Sequence, residues 1–149
     1  PPPPPPSPTV PDLVVVDWVA DRTSVVLNQD VNFKATIANR GTRASAPTTI
    51  RFLVSSNSTI TTADQELEMA NVPTTAPNEG GTWNVSVSSR RSQTAYFGVC
   101  IDPVSGETNT QNNCSQGIQI RFGTGAGGSI VDAGQDLSSE SFEFTVKVR

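Results

Sequence analysis

The sequence predicts an all-β protein: two antiparallel sheets packed as a sandwich, with about seven strands and one extra strand at the C-terminus. Three observations point there. Apolar and polar residues alternate at period two in several short runs, the pattern of strands with one buried face. Clusters of Pro, Gly, Asn, Asp, Ser and Thr separate those runs at short intervals. No stretch carries the i, i+3, i+4 spacing of a convincing amphipathic helix.

The chain opens with Pro1, Pro2, Pro3, Pro4, Pro5 and Pro6. Six prolines in a polyproline II helix span about 19 Å, at 3.1 Å per residue. Such a segment is either a stiff linker or an arm that docks on an aromatic-lined groove of another subunit. Residues 12–19 read as the first strand, and residues 23–27 continue it after a break. Asn28-Gln29-Asp30 is a turn. Val31, Phe33, Ala35 and Ile37 then alternate with Asn32, Lys34, Thr36 and Ala38, a strand with Lys34 on its solvated face. Residues 39–47 form a loop. Residues 48–54 form a strand with Ile50, Phe52 and Val54 on one face and Arg51 and Leu53 on the other.

Residues 55–64 are polar and have little to bury. Residues 65–72 fit an edge strand or a short helix, and the strand is favoured. A Pro- and Gly-rich loop over residues 73–81 precedes the alternation of Trp83, Val85 and Val87 with Asn84, Ser86 and Ser88. The last two sandwich strands, residues 96–101 and 118–122, flank a long polar loop. Trp18, Phe33, Ile37, Phe52, Trp83, Val85, Tyr96, Ile118 and Ile120 are expected in or beside the core. Cys100 and Cys114 are the only cysteines, and they stand near the two ends of that loop. A disulfide between them closes about 15 residues, worth roughly 3 kcal/mol by chain entropy; two free buried thiols are the bland alternative.

A Gly-rich linker, residues 123–128, leads to an extension over residues 129–149. There Phe142, Phe144, Val146 and Val148 share one face, opposite Glu143, Thr145, Lys147 and Arg149. A lone strand cannot satisfy its own backbone or cover its apolar face. It either folds back as an eighth strand or adds to another subunit's sheet. The linker reaches about 20 Å when extended, which favours the second, by strand addition.

Composition narrows the function classes. Net charge is −4 and no basic stripe exists, so nucleic acid is not an expected partner. No apolar run has the length of a membrane span. Charged residues are only 16% of the chain, and Ser, Thr, Asn and Gln take their place, which suits an exported all-β protein. A pair of cysteines placed to bond argues for an oxidising compartment. The chain has no histidine, and with the cysteines paired no thiol nucleophile or zinc site is left. No nucleophile elbow occurs, and no enzyme activity is expected. Asp102, Glu107, Asn109, Asn112 and Asn113 offer hard oxygens on one loop and are the calcium candidates. The competing reading is that they shape turns through their own hydrogen bonds.

Asp102-Pro103, Glu107 and Asn112-Asn113, after the strand led by Tyr96, resemble the C-terminal signature of the bacterial cell-adhesion-related domain, CARDB. Pro11-Asp12-Leu13-Val14-Val15 resembles the family's opening, and Ala38-Asn39-Arg40-Gly41-Thr42 is similar to its V-x-N-x-G. The resemblance covers residues 11–122. It implies an immunoglobulin-like β-sandwich exported to a cell surface, and no chemistry. The organisation is then a proline arm (1–10), a CARDB-like domain (11–122), a linker (123–128) and an extension with a terminal strand (129–149).

The leading expectation is a non-catalytic extracellular structural protein, a filament or layer subunit whose copies exchange terminal segments. Pro1 to Pro6, Phe142, Phe144, Val146 and Val148 would then make the subunit interface. The alternative is an adhesive or carbohydrate-binding module or spacer of a larger secreted or cell-surface protein. Surface glycans would meet the loops at residues 39–47, 55–64 and 102–113.

Overall fold

The computed structural model describes residues 9–123 and 144–148. Nine strands follow one another without a helix among the described residues: β1 (Leu13–Ala20), β2 (Ser24–Val25), β3 (Val31–Asn39), β4 (Thr48–Ser55), β5 (Gln65–Val72), β6 (Gly80–Ser88), β7 (Gln93–Ile101), β8 (Ile118–Phe122) and β9 (Thr145–Val148). They form two sheets, ordered β1-β3-β6-β9 and β2-β8-β7-β4-β5. All pairings are antiparallel except the short parallel contact of β2 with β8. This is the two-sheet, immunoglobulin-like sandwich that the alternation predicts, and residues 65–72 are a strand.

The core lies where the inner faces meet. Phe33 stacks on Trp18 with ring centroids 4.9 Å apart and stands 5.2 Å from Phe97 of the facing sheet. The Trp18 indole N–H donates to the Phe97 carbonyl at 2.8 Å. One side chain thus buries an apolar body and still satisfies its polar end, while joining the two sheets. Lys34 points out and is exposed.

The structure departs from the sequence expectations at four places. Residues 23–27 do not prolong the first strand but cross to the other sheet, where Ser24 and Val25 pair with Arg121 and Phe122. The cause sits at Asp21, whose carboxylate accepts from the Asn32 backbone amide and side chain at 2.9 and 2.8 Å and pins the end of β1 to β3. The chain then turns so that Val25 is buried in the core. Partial burial pushes the Asp21 carboxyl up, but the Asn32 bonds outweigh it and hold the group below the usual carboxylate range.

Leu53, expected to face outward, is buried with Cys100 under Ile60. The polar loop over residues 55–64 folds its one large apolar side chain onto the outer face of β4 and β7, and Gly98 leaves room for it. A Cβ at Gly98 would stand 2.4 Å from Ile60. Tyr96 is the third departure. It shares the outer face with Gly98 and Cys100, and Phe97 takes the core position instead.

The fourth concerns the tail. β9 pairs with β6 of its own chain, from Val85 opposite Val148 to Ser88 opposite Thr145. Phe144, just before it, sits 5.1 Å from the Phe97 ring and 5.2 Å from Phe122. Within one chain the acceptor is the β6 edge, whereas the expectation placed it on another subunit. Phe144 and Val146 pack on the core, whereas Val148 is 43% exposed. Energetics favour this arrangement in a single chain. Loop-closure entropy grows only with the logarithm of loop length, while recruiting a second molecule costs ~4 kcal/mol or more. Pro1 to Pro6 and Phe142 lie outside the described residues.

Candidate functional site

The family-like residues gather at one end of the sandwich, around the start of β1. Asn39 closes β3 and is fully buried. Its amide nitrogen donates to the carbonyls of Arg43 and Thr75 at 2.8 and 2.9 Å. Its carbonyl oxygen accepts from the amides of Asp12 and Gly41 at 3.0 and 2.9 Å. Two donors and two lone pairs are all used, so one side chain ties four backbone groups from three segments together. Gly41 is needed beside it. A Cβ there would stand 2.2 Å from the Val10 carbonyl oxygen and 2.6 Å from the Asp12 nitrogen.

The signature loop is latched in the same manner. Arg51 on β4 grips both Asp102 oxygens, at 2.7 and 2.8 Å, and also contacts Glu66 on β5. The Asp102 bonds, followed by those to Glu66, raise the already basic guanidinium further. Glu107 reaches back to the strand that opens the domain: its carboxylate accepts from the Leu13 amide at 2.8 Å, across 94 residues of sequence. It also accepts from the Val104 amide at 3.3 Å and the Asn113 side chain at 3.1 Å. Asn112 donates to Asp12 at 2.9 Å. Cys100 and Cys114 form the disulfide, with Cα atoms 4.0 Å apart, and pair as an isolated β-bridge at the base of the loop.

Four of the calcium candidates take separate partners, while Asn113 stays with Glu107 through their bond at 3.1 Å. Asp102 faces Arg51, Glu107 faces β1, Asn109 accepts from the Gln111 amide within its own turn, and Asn112 faces Asp12. No cluster of three or more His, Cys, Asp or Glu residues stands ready for a metal among the described residues. The buried carbonyl oxygens of Asn112 and Asn113 have no protein partner there; acceptors of this kind are met by ordered water. The melting temperature is expected to coincide in chelator and in millimolar calcium, since a ligand that binds only the native state would raise it. A calcium-dependent rise in a thermal scan would show a cation site instead.

Of the interface candidates, Phe144, Val146 and Val148 come together on the β6 edge. The sequence reading missed two features. Ile60 is signalled only as a lone apolar residue in a polar loop. The hub role of Asn39 was visible as a motif but not as a set of bonds. Trp83, expected in or beside the core, packs against it. In the structure it is half-buried at the seam between the sheets, its indole N–H directed at the Asn71 carbonyl at 3.3 Å.

No helix among the described residues is long and apolar enough to cross a membrane. Solved structures share the architecture. The CARDB domain of a Pyrococcus furiosus protein, determined in complex with di-metal ions, is 16% identical, with a TM-score of 0.63 over 78% of this chain and 96% of its own. A solution structure of the P. furiosus CARDB domain gives 0.60 at 16% identity, over 76% and 96%. A domain from a Methanosarcina acetivorans protein, assigned to the cell surface by its name alone, gives 0.53 at 23% identity, over 76% and 92%. At these identities the likeness is one of fold. No curated protein matches the chain in sequence at a significant level. The family model for CARDB matches residues 10–117, more than two thirds of the chain, and this protein belongs to the CARDB family.

Proposed function

We propose that the chain is a non-catalytic structural module of a protein displayed at the cell surface. The observation that carries this reading is the use made of the signature residues. Asn39, Asp102, Glu107 and Asn112 are held by internal bonds that fasten the chain's first strand and its disulfide loop. Side chains so committed serve rigidity, which a surface spacer or adhesive module needs, and no reaction. CARDB is an adhesion-type, non-catalytic domain family, and the disulfide suits an extracytoplasmic compartment. Labelling intact host cells with a membrane-impermeant reagent tests it: the protein is expected among the labelled species, and labelling only after lysis would overturn the reading.

A second element of the proposal is assembly by exchange of terminal segments between copies. Its support is the small size of the β9 contact: four paired residues and the Phe144 anchor. The same contact made by a second copy's tail would join molecules head to tail, and such a contact does not close on itself. The full chain is expected to form concentration-dependent oligomers in light scattering, and a chain ending at Gly123 is expected to stay a folded monomer. A full chain that is monomeric at every concentration, or a truncated one that still polymerises, would sink this element.

A further inference from the structure

Where β5 of one sheet faces β6 of the other, the seam opens into a cleft of about 340 Å³. That lies at the small end of ligand sites, which run ~300–1,000 Å³. Trp83 forms one wall. Its benzo edge lies back over Gly81, where a Cβ would stand 3.0 Å from the ring, so the glycine makes room for the indole. The bond to the Asn71 carbonyl fixes the ring across the seam. The floor at Thr75 is equally rigid: its carbonyl accepts from Asn39 at 2.9 Å and from the Ser45 amide at 3.0 Å. Around the ring stand the side chains of Asn71, Thr74, Glu79 and Thr82, all exposed. None makes a hydrogen bond or ion pair among the described residues.

We propose that this cleft binds a neutral or amino-sugar pyranose unit of a surface polysaccharide. The chemistry selects the class. An aromatic face is electron-rich and attracts the C–H-bearing face of a pyranose ring. Uncommitted amide, hydroxyl and carboxylate groups beside it supply the directional bonds that hydroxyl-rich ligands need. The lining holds no Lys or Arg and one carboxylate, Glu79, which excludes a phosphate or uronate and accommodates an ammonium group. The inference rests on the surface-module reading above. It places glycan contact at the sheet seam rather than on the three loops at the sandwich ends.

The test is a titration of ¹⁵N-labelled full chain with cellotetraose, chitotetraose and chitosan tetramer, read by NMR to millimolar concentration. Saturable shifts of the Trp83 indole and of the Thr82 and Asn71 amides are expected for at least one of these. Trp83→Ala should weaken binding by at least about tenfold. Because the Trp83 ring also packs on the core, Glu79→Gln at an exposed carboxylate is the second variant; it should weaken binding of the amino-sugar probe several-fold and leave the fold intact. Absence of saturable shifts with all three probes, shifts confined to residues 39–47, 55–64 or 102–113, or binding unchanged in both variants would overturn the proposal. So would shifts along the backbone of residues 80–84 produced by a peptide of sequence 142–149 and by no saccharide, which would make the seam a strand-addition edge. Any of these failures leaves the cell-surface labelling and oligomer measurements untouched.

Discussion

Replacing Asn39 with alanine is expected to destabilise the domain by about 4 kcal/mol, counting four hydrogen bonds at ~1 kcal/mol each. The residue is fully buried, so water cannot take over. The amides of Asp12 and Gly41 and the carbonyls of Arg43 and Thr75 would all lose a partner in the interior. Such a loss belongs to the exceptional tail of single-mutant effects, where a buried hydrogen-bond network is broken. Asn39→Asp does not rescue it, because a carboxylate keeps the acceptor but removes both donors and brings a charge into the core. Urea denaturation of the two variants against the wild type decides the matter. A loss below about 1 kcal/mol for Asn39→Ala would show that the three segments are held by other means. Thr75 lines the Trp83 cleft, so the variant should also weaken any saccharide bound there.

Reduction of the Cys100–Cys114 bond is expected to cost about 3 kcal/mol, the chain-entropy value for a closed loop of about 15 residues. Both sulfurs remain after reduction, so the packing of Cys100 against Leu53 and Ile60 survives and the loop constraint is isolated. At ~2–8 °C per kcal/mol for domains of this size range, the melting temperature should fall by roughly 10 °C. Two features set how much of this appears. Glu107 and Arg51 hold the loop independently, so the native state stays ordered while the unfolded chain gains freedom. Calorimetry with and without reductant, with thiol titration as the control, checks it. An unchanged melting temperature with two titratable thiols would show that the bridge adds nothing to stability.

Much of this was legible in the sequence. Period-two alternation in residues 31–38, 83–88 and 118–122 is a local property of each strand, and it sets which residues face inward whatever the strand pairs with. That is why the sandwich class, the exposure of Lys34 and the burial of Phe33, Ile37 and Val85 could be read from residue order. The spacing of the two cysteines and the order of the short motifs pointed to the disulfide and to the family for the same reason: both are patterns along the chain.

Alternation does not say which sheet a strand joins or what covers its second face. Ser24 and Val25 look like a continuation of the first strand, yet their partners are Arg121 and Phe122. Leu53 was misplaced because β4 and β7 bury apolar residues on both faces once Ile60 folds over. The tail carries a clear strand pattern, but only the three-dimensional arrangement presents an open β6 edge beside Phe97 and Phe122, close enough for the chain's own Phe144. The roles of Asn39 and Glu107 likewise depend on backbone groups brought from 27, 36 and 94 residues away. A side chain's type states what it can donate or accept; its partner is whatever folding delivers within about 3 Å.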